Sequence, residues 1–361
     1  MYIKNLLLKN FRNYAEETFT FSSGLNVIFG KNAQGKTNCA EAVFYLCTGT
    51  SPRTRRDKQL IRYGEETASI GCKCEGRYGE VEISATITEA GREVKVNGNK
   101  ITRNADLMGN VFAVFFSPQE LRLIQDGPDE RRRFLNVSIS QLSRPYYVAL
   151  TRYNKILEQR NNLLKNRDLD MVYDTLPVWD AQLCKYASVV ARSRADYVER
   201  LAPLAAEAHS YLTDGQEQLE ISPDKKYKGD EAQLEKRLFD ELSNNYDRDI
   251  RLGYTASGPH RDDLDIKING ADAKAYASQG QTRTCALAIK LAEVSVFKET
   301  CGEYPVLILD DVMSELDLPR RKKLVGRTDG LQTIITCTHA ERVLYGKEVN
   351  KILIEGGAVK R

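Results

Sequence analysis

Eight residues near the start of the chain, Gly30-Lys31-Asn32-Ala33-Gln34-Gly35-Lys36-Thr37, have the types and spacing that hold a phosphate chain. Two glycines let a loop between strand and helix curl so that backbone N–H groups and a helix N-terminus face an anion. Lys36 then carries an ammonium to the terminal phosphates, and the Thr37 hydroxyl is a magnesium ligand. Far along the chain, Val306-Leu307-Ile308-Leu309-Asp310-Asp311 is an apolar run that ends in two adjacent carboxylates. A strand of that kind delivers Asp310 to the sheet edge where the ligand crevice of an α/β fold opens. Asp310 would hold magnesium through water, and Asp311 would act as general base or orient the attacking water. Between the two lies Ser278-Gln279-Gly280-Gln281, a short polar element opening a helix, for which a single-site P-loop enzyme has no use. Together the pieces describe half of a composite nucleotide site, with ATP and Mg as its expected cofactors.

Two further residues extend the set. Gln119 follows the buried-strand run Val111 to Phe116, and His339 follows the run Thr333 to Cys337. A glutamine amide can reach attacking water and magnesium together, so Gln119 is a third candidate metal ligand. An imidazole can bridge a phosphate oxygen. Alone, either residue would be unremarkable.

The elements that position these groups must come from a large α/β body. At 361 residues the chain has room for two domains, or for one domain with an insertion. Its 29% charged and 42% hydrophobic residues are ordinary for a soluble globular protein. No apolar run approaches the ~20 residues of a membrane helix, and Met1-Tyr2-Ile3-Lys4 opens no secretory segment, so a cytoplasmic protein without a membrane partner is expected. The eight cysteines lack zinc spacing and read as reduced, buried thiols, with Cys72 and Cys74 on one face of a strand. A net charge of +3 is low for a dedicated nucleic-acid module, so DNA contact must come from local clusters. Candidates are Arg53, Arg55, Arg56 and Lys58; Arg131 to Arg133; and Arg320 to Lys323.

Along the chain, residues 1 to 30 and Ala68 to Val96 read as strands, with a hairpin turn at Asn97-Gly98. From 119 to about 250 the pattern is helical, with turn signals at Asp126-Gly127-Pro128, Arg144-Pro145, Pro177 and Thr213-Asp214-Gly215. Ser143 to about Lys165 and Val178 to about Leu201 are expected to form an antiparallel helical pair, each ~35 Å long at 1.5 Å per residue. Strands return at Leu264 to Ile268, followed by a helix from about Gln279 to Thr300, the strand Val306 to Leu309, a basic helix near Arg320, and strands at Gln332 to Cys337 and Lys351 to Ile354. The reading is a head built from 1–118 and 251–361, with a helical lobe, 119–250, inserted into it.

In this order the motifs resemble those of the ATP-binding-cassette family, and in particular its SMC-like DNA-repair branch. They comprise a P-loop (Gly30 to Thr37), a Q-loop residue (Gln119), a signature-like Ser278 to Gln281, a Walker B strand (Val306 to Asp311), a D-loop-like Ser314-Glu315-Leu316-Asp317 and a switch histidine (His339). Lys9-Asn10-Phe11-Arg12-Asn13-Tyr14, Asp129 to Asn136 and Gly258-Pro259-His260-Arg261-Asp262-Asp263 carry the likeness over essentially the whole chain. The resemblance implies an α/β fold: an ABC-type P-loop ATPase core with a mixed parallel sheet and an antiparallel β subdomain, plus the inserted helical lobe. It also implies that Ser278 and the signature backbone of one subunit cap the γ-phosphate on the P-loop of another, so that ATP drives a homodimer. Single- and double-stranded DNA at gaps or junctions, a RecR-type mediator protein, recombinase loading, weak DNA-stimulated ATPase activity and association with the nucleoid follow by the same implication. Arg12 and Asn13 approach the nucleotide in similar ATPases; as residues alone they fit a hairpin surface equally well.

Two departures from the wider family carry weight. S-Q-G-Q in place of the transporters' L-S-G-G-Q argues against the alternative, the ATPase subunit of an ABC-type transporter. Asp311 stands where most members have Glu, and the shorter acid implies slower or differently organised hydrolysis. A metabolic P-loop kinase would have no use for the signature or His339. The residue types of Gly258 to Asp263 assign that segment no role.

Overall fold

The structure, a computed structural model, describes the chain except for residues 78, 225, 226, 228, 341–345, 347 and 361. Its central sheet has the order Ala358–Lys360, Val349–Glu355, Leu25–Phe29, Thr333–Cys337, Val306–Asp310 and Ala113–Phe116. All neighbours pair in parallel except the terminal hairpin. Every residue of Val306–Asp310, Thr333–Cys337 and Ala113–Phe116 is buried. Strands covered on both faces read as continuous apolar runs, which is why periodicity shows no alternation there. The register sets Asp310 level with Thr336, and Cys337 level with Phe29. Three chemistry-bearing strands therefore end at one edge.

A second sheet, wholly antiparallel, has the order Tyr14–Thr20, Tyr2–Phe11, Thr67–Gly76, Gly79–Thr88, Gly91–Val96 and Asn99–Ile101. Here the alternation is clean: Leu6, Leu8, Ile70, Cys72, Ile83 and Ala85 are buried, whereas Leu7 and Lys9 are exposed. The expected turn at Asn97-Gly98 forms with φ of 50° and 77°, the left-handed pair that a two-residue hairpin needs. The helix Lys36–Thr48 packs against strands of both sheets. It is apolar nearly all round, as a helix covered on two sides must be.

The chain divides into two compact units, Met1–Leu121 with Leu204–Glu217 and Ser278–Arg361, and Arg122–Pro203 with Gln218–Ala277. The division differs from boundaries at 118 and 250 for a simple reason. Leu219–Pro223, inside the stretch read as helical, is a strand; it pairs with Leu264–Ile268, which also pairs with Ala271–Asp272. Residues 251–277 thus pack in the second unit.

In that unit the helix Arg144–Leu163 starts at Ser143, whose hydroxyl accepts from the Tyr146 N–H. The other expected helix, Val178 to Leu201, is corrected to Leu169–Leu212, running through both Pro177 and Pro203. An interior proline costs a helix about 3 kcal/mol. Val172, Leu176, Leu183 and Val190 are each essentially wholly buried on this helix, and burial is worth about 1.5–3 kcal/mol for each such side chain. Packing on both sides of Pro177 outweighs the break.

Gly258–Asp263 is the fastening of this unit. Gly258 has φ +123°, and a Cβ there would lie 2.9 Å from Tyr153 Oη. The Pro259 carbonyl accepts from Arg194 at 2.6 Å. His260 takes the Tyr153 hydroxyl at Nδ1 (2.5 Å) and donates from Nε2 to the Thr255 carbonyl (2.9 Å). Asp263 receives both arms of the Arg131 guanidinium at 2.5 and 2.8 Å, and Arg132 donates to the Asp262 carbonyl. The basic run at 131–133 is therefore largely consumed by the fold. Cysteines Cys39, Cys47, Cys72, Cys74, Cys184, Cys285 and Cys337 are buried and in no disulfide. Among the described residues, no cluster of three or more His, Cys, Asp or Glu could hold a metal ion, and no helix is long and apolar enough to cross a membrane.

Candidate nucleotide site

Leu25–Phe29 runs into the loop at Gly30, whose φ is +147°; a Cβ there would collide with the Ile354 carbonyl oxygen. Gly35, at φ +114°, opens the helix Lys36–Thr48, and a Cβ there would meet Tyr14 Oη at 2.7 Å and the Asn13 amide at 2.8 Å. Both glycines are thus required by the chain's own packing. The Lys36 ammonium curls back on the loop and donates to the Gly30 and Lys31 carbonyls, each at 2.8 Å. Burial lowers its pKa, opposed by the charge of Asp311.

Asp310 Oδ1 receives two hydroxyls, from Thr37 at 2.9 Å and Thr336 at 2.7 Å. Burial pushes this carboxyl's pKa up, with Asp311 adding to the rise and the two hydroxyls opposing it. Asp311 adopts left-handed backbone geometry, φ 55°, which a non-glycine residue holds only where its surroundings enforce it. They do so here: its N–H reaches Thr336 Oγ1 at 3.0 Å, and Ser314 Oγ donates to its carbonyl at 2.8 Å.

A cavity of about 410 Å³ is lined by Asn13, Asn32, Ala33, Gly35, Lys36, Thr37, Asn38, Arg53, Asp311 and Thr336; Asp310 stands behind this lining, bonded to Thr37 and Thr336. The donor set suits a phosphate chain with a hard cation. Loop amides, Lys36 and Arg53 supply positive potential, and the adjacent Thr37 hydroxyl and Asp310 carboxylate are the oxygen ligands that Mg takes.

Asn13 lies on the cavity wall, donating to the Gln34 carbonyl (3.0 Å) and accepting from Asn38 Nδ2 (2.8 Å). Arg12 is engaged elsewhere. Its guanidinium grips both oxygens of Glu41, at 2.9 and 2.7 Å, and donates to the Gln59 carbonyl. Glu41 is wholly buried on the P-loop helix and also receives Ser51 Oγ (2.6 Å) and Arg53 (3.3 Å). Sequence reasoning missed this hub, although a lone acid in the apolar stretch Cys39 to Cys47 was its signal. Arg53, read only as part of a basic cluster, stands at the cavity and donates to Asn38 Oδ1 at 2.8 Å.

Gln119, in the short turn Pro118–Leu121, and His339 are both exposed and are not among the lining residues. The same is true of Ser278, Gln279 and Gly280. Ser278 caps the helix Gln279–Cys301, accepting from the Gln281 N–H at 3.2 Å, while Gln281 Oε1 accepts from the Ser278 N–H at 2.9 Å. Among the described residues outside its own helix backbone, nothing lies within 4 Å of a Cβ built on Gly280. Unlike Gly30 and Gly35, this glycine is not crowded by another described part of its own chain.

Residues 2–360 match the family model described as "RecF/RecN/SMC N terminal domain". The chain is 41% identical to the DNA replication and repair protein RecF of Clostridium acetobutylicum, over 94% of this chain and 93% of that one. It is 39% identical to the RecF of Ruminiclostridium cellulolyticum over 99% of both. A solved structure described as "the recombination mediator protein RecF-ATPrS in RecFOR pathway" matches with a TM-score of 0.90 and 34% identity, over 99% of this chain and 97% of that one. The Smc head domain of Pyrococcus furiosus, at a TM-score of 0.58 and 16% identity, shares the fold. The architecture is that of the ABC-type ATPase heads.

Proposed function

This chain belongs to the RecF/RecN/SMC family and, within it, to the RecF proteins of DNA replication and repair, and from that membership we propose an ATP-gated DNA clamp completed by two copies. The observation that carries the reading is the contrast between two glycine-containing elements. The P-loop glycines are locked by their own chain, whereas Gly280 and Ser278 face open space on an element outside the cavity wall. A glycine inside a helix costs up to about 1 kcal/mol relative to alanine. Close approach by a second copy gives that residue a purpose.

In this reading Lys36, Arg53 and the loop amides hold the phosphates of ATP, and Thr37, Asp310 and Gln119 are the residues that would hold Mg. The bound cation neutralises phosphate charge and so favours both binding and cleavage. Asp311 orients the water, His339 and the partner copy's signature face the γ-phosphate, and slow hydrolysis releases the dimer. ATP that binds the closed dimer better than the separated copies shifts the population toward it.

DNA is held mainly through phosphate contacts. Of the three basic clusters, that at 131–133 is tied to Asp263, Asp129 and the Asp262 carbonyl, and that at 320–323 pairs Arg320 with Asp317 and Lys323 with Asp214. In the remaining strap Arg53 pairs with Glu41 and Lys58 with Glu89, but Arg55 and Arg56 between them are exposed, with a fully exposed Tyr63 farther along. We assign DNA contact to this strap, recombinase loading at gaps as the outcome, a RecR-type protein as partner, and a cytoplasmic, nucleoid-associated site of action. No observation favours the transporter alternative.

Sedimentation with ATP, ADP and no nucleotide tests the core of the proposal. The protein dimerises with ATP alone of the three, and Ser278→Arg binds ATP but stays monomeric. A Ser278→Arg protein that dimerises normally overturns the composite site.

A further inference from the structure

Gln281 has both ends of its amide occupied. Its Oε1 caps the Ser278 N–H, and its Nε2 donates to Glu217 Oε1 at 2.9 Å. The other oxygen of Glu217 meets Nε2 of His209 at 3.1 Å. His209 is completely buried and its Nδ1 has no hydrogen-bond partner among the described residues. A doubly protonated ring would leave an unpaired buried N–H, so the imidazole is neutral with its proton on Nε2, donating to Glu217. Burial lowers the His209 pKa, in the same direction.

The turn that carries Glu217 is itself fixed. Asp214 and Gly215 adopt left-handed geometry, φ 55° and 74°, and the Gly215 N–H closes on the Ser210 carbonyl at 2.8 Å. Lys323 pairs with Asp214 at 2.8 Å and donates to the Leu212 carbonyl, capping the end of the long helix. A carboxylate on a pinned turn, steadied from behind by a buried imidazole, therefore sets the orientation of the glutamine that closes the signature's capping box.

We propose that Glu217 is the positioning residue of the signature element, holding Gln281 so that Ser278 and Gly280 are presented in the geometry a second copy's nucleotide requires. The inference rests on the composite-site reading and adds to it a residue outside every motif. Without the Glu217 carboxylate, Gln281 has no fixed acceptor and its amide swings. An amide at position 217 faces Gln281 with a second NH2 group, and Gln281 must then abandon either that neighbour or the Ser278 N–H.

An exchange of the two side chains tests this. Wild-type protein, Glu217→Gln, Gln281→Glu, the double exchange and Ser278→Arg are compared for binding of a fluorescent ATP analogue by the dilute monomer and for ATP-dependent dimerisation by sedimentation. Glu217→Gln keeps monomer affinity within about twofold, which shows that it is folded, but weakens the ATP-dependent dimer by about tenfold, the scale of one charge-assisted hydrogen bond. Gln281→Glu sets two carboxylates against each other and is weaker still. The double exchange restores dimerisation, because the amide now at 217 donates to the carboxylate now at 281, which still caps Ser278, while His209 keeps an acceptor. Wild-type dimerisation by Glu217→Gln, or a double exchange no better than the worse single variant, overturns the inference when Ser278→Arg is blocked. If Ser278→Arg dimerises as well, it is the composite site that falls.

Discussion

Thr37 Oγ1 and Asp310 Oδ1 lie 2.9 Å apart although 273 positions separate them in the chain. The contact joins the start of the P-loop helix to the end of the strand Val306–Asp310 and so sets the distance between phosphate loop and acid pair. Asp310 is also a buried acid beside another acid, and its carboxyl is held above the usual range by burial and by Asp311. Asp310→Asn should therefore separate stability from function. The nucleotide-free protein unfolds at equal or higher urea concentration, because a buried charge is gone. Affinity for ATP with Mg falls about 10–100-fold, while affinity in EDTA changes little. Paired urea melts and ATP titrations check both halves; equal losses with and without Mg would remove Asp310 from the metal.

Glu41 is the opposite case, a buried acid with a full set of donors. Glu41→Gln leaves Arg12, only 19% exposed, without its charge partner. Breaking a buried pair from one side costs about 3–5 kcal/mol, and partial exposure of Arg12 puts the expected loss near the lower figure. Urea unfolding measures it. Asn13 and Arg53 are held by the same network, so ATP affinity falls too, although Glu41 itself lines no part of the cavity.

Arg55→Ala together with Arg56→Ala tests the strap. Both side chains are exposed, and surface substitutions of that kind change stability by about 0.5 kcal/mol or less. DNA affinity falls nonetheless, and the slope of log affinity against log salt shrinks by about one for each lost phosphate contact. Filter binding across a salt series supplies the slope. An unchanged slope places the DNA elsewhere.

His260 makes the second unit sensitive to acid. Burial is the largest cause that lowers its pKa to about 4, and the charges of Arg261, Arg132 and Arg160 act in the same direction. An unfolded imidazole binds its proton near pH 6.5. Between those limits the unfolded chain holds more protons than the folded one, so stability is complete above about pH 6.5 and declines as the pH falls toward 4. The span allows a loss of about 3 kcal/mol. A proton on Nδ1 also takes away the acceptor of the Tyr153 hydroxyl. Urea unfolding at several pH values follows the decline, and His260→Gln flattens it.

How much of this was legible in the sequence depends on how local each signal is. The P-loop, the strand ending at Asp310 and the polar element Ser278 to Gln281 that opens a helix are patterns within a few residues, and each lies on the element its spacing implied. Pro177 is also a local signal, but its outcome turned on burial of Val172, Leu176 and Leu183, which the proline does not reveal. Two of the basic runs carry ion pairs that sequence does not show, because the partners are distant: Arg131 is answered by Asp263 and Lys323 by Asp214. Glu217 belonged to no motif, and only the fold brings it to Gln281.

Two glycine-to-alanine changes finally separate what one copy needs from what two copies need. In Gly35→Ala the new methyl group meets Tyr14 Oη and the Asn13 amide inside 3 Å, on a backbone at φ +114°. The variant loses both stability and ATP binding. In Gly280→Ala no described residue outside the helix's own backbone lies within 4 Å of the methyl group, and exchanging a helical glycine for alanine adds up to about 1 kcal/mol of stability. That protein should melt at or above the wild-type temperature and bind ATP as a monomer, yet fail to dimerise. Normal ATP-dependent dimerisation by Gly280→Ala would mean that no second copy comes close to this residue, and the purpose assigned to its glycine would be lost.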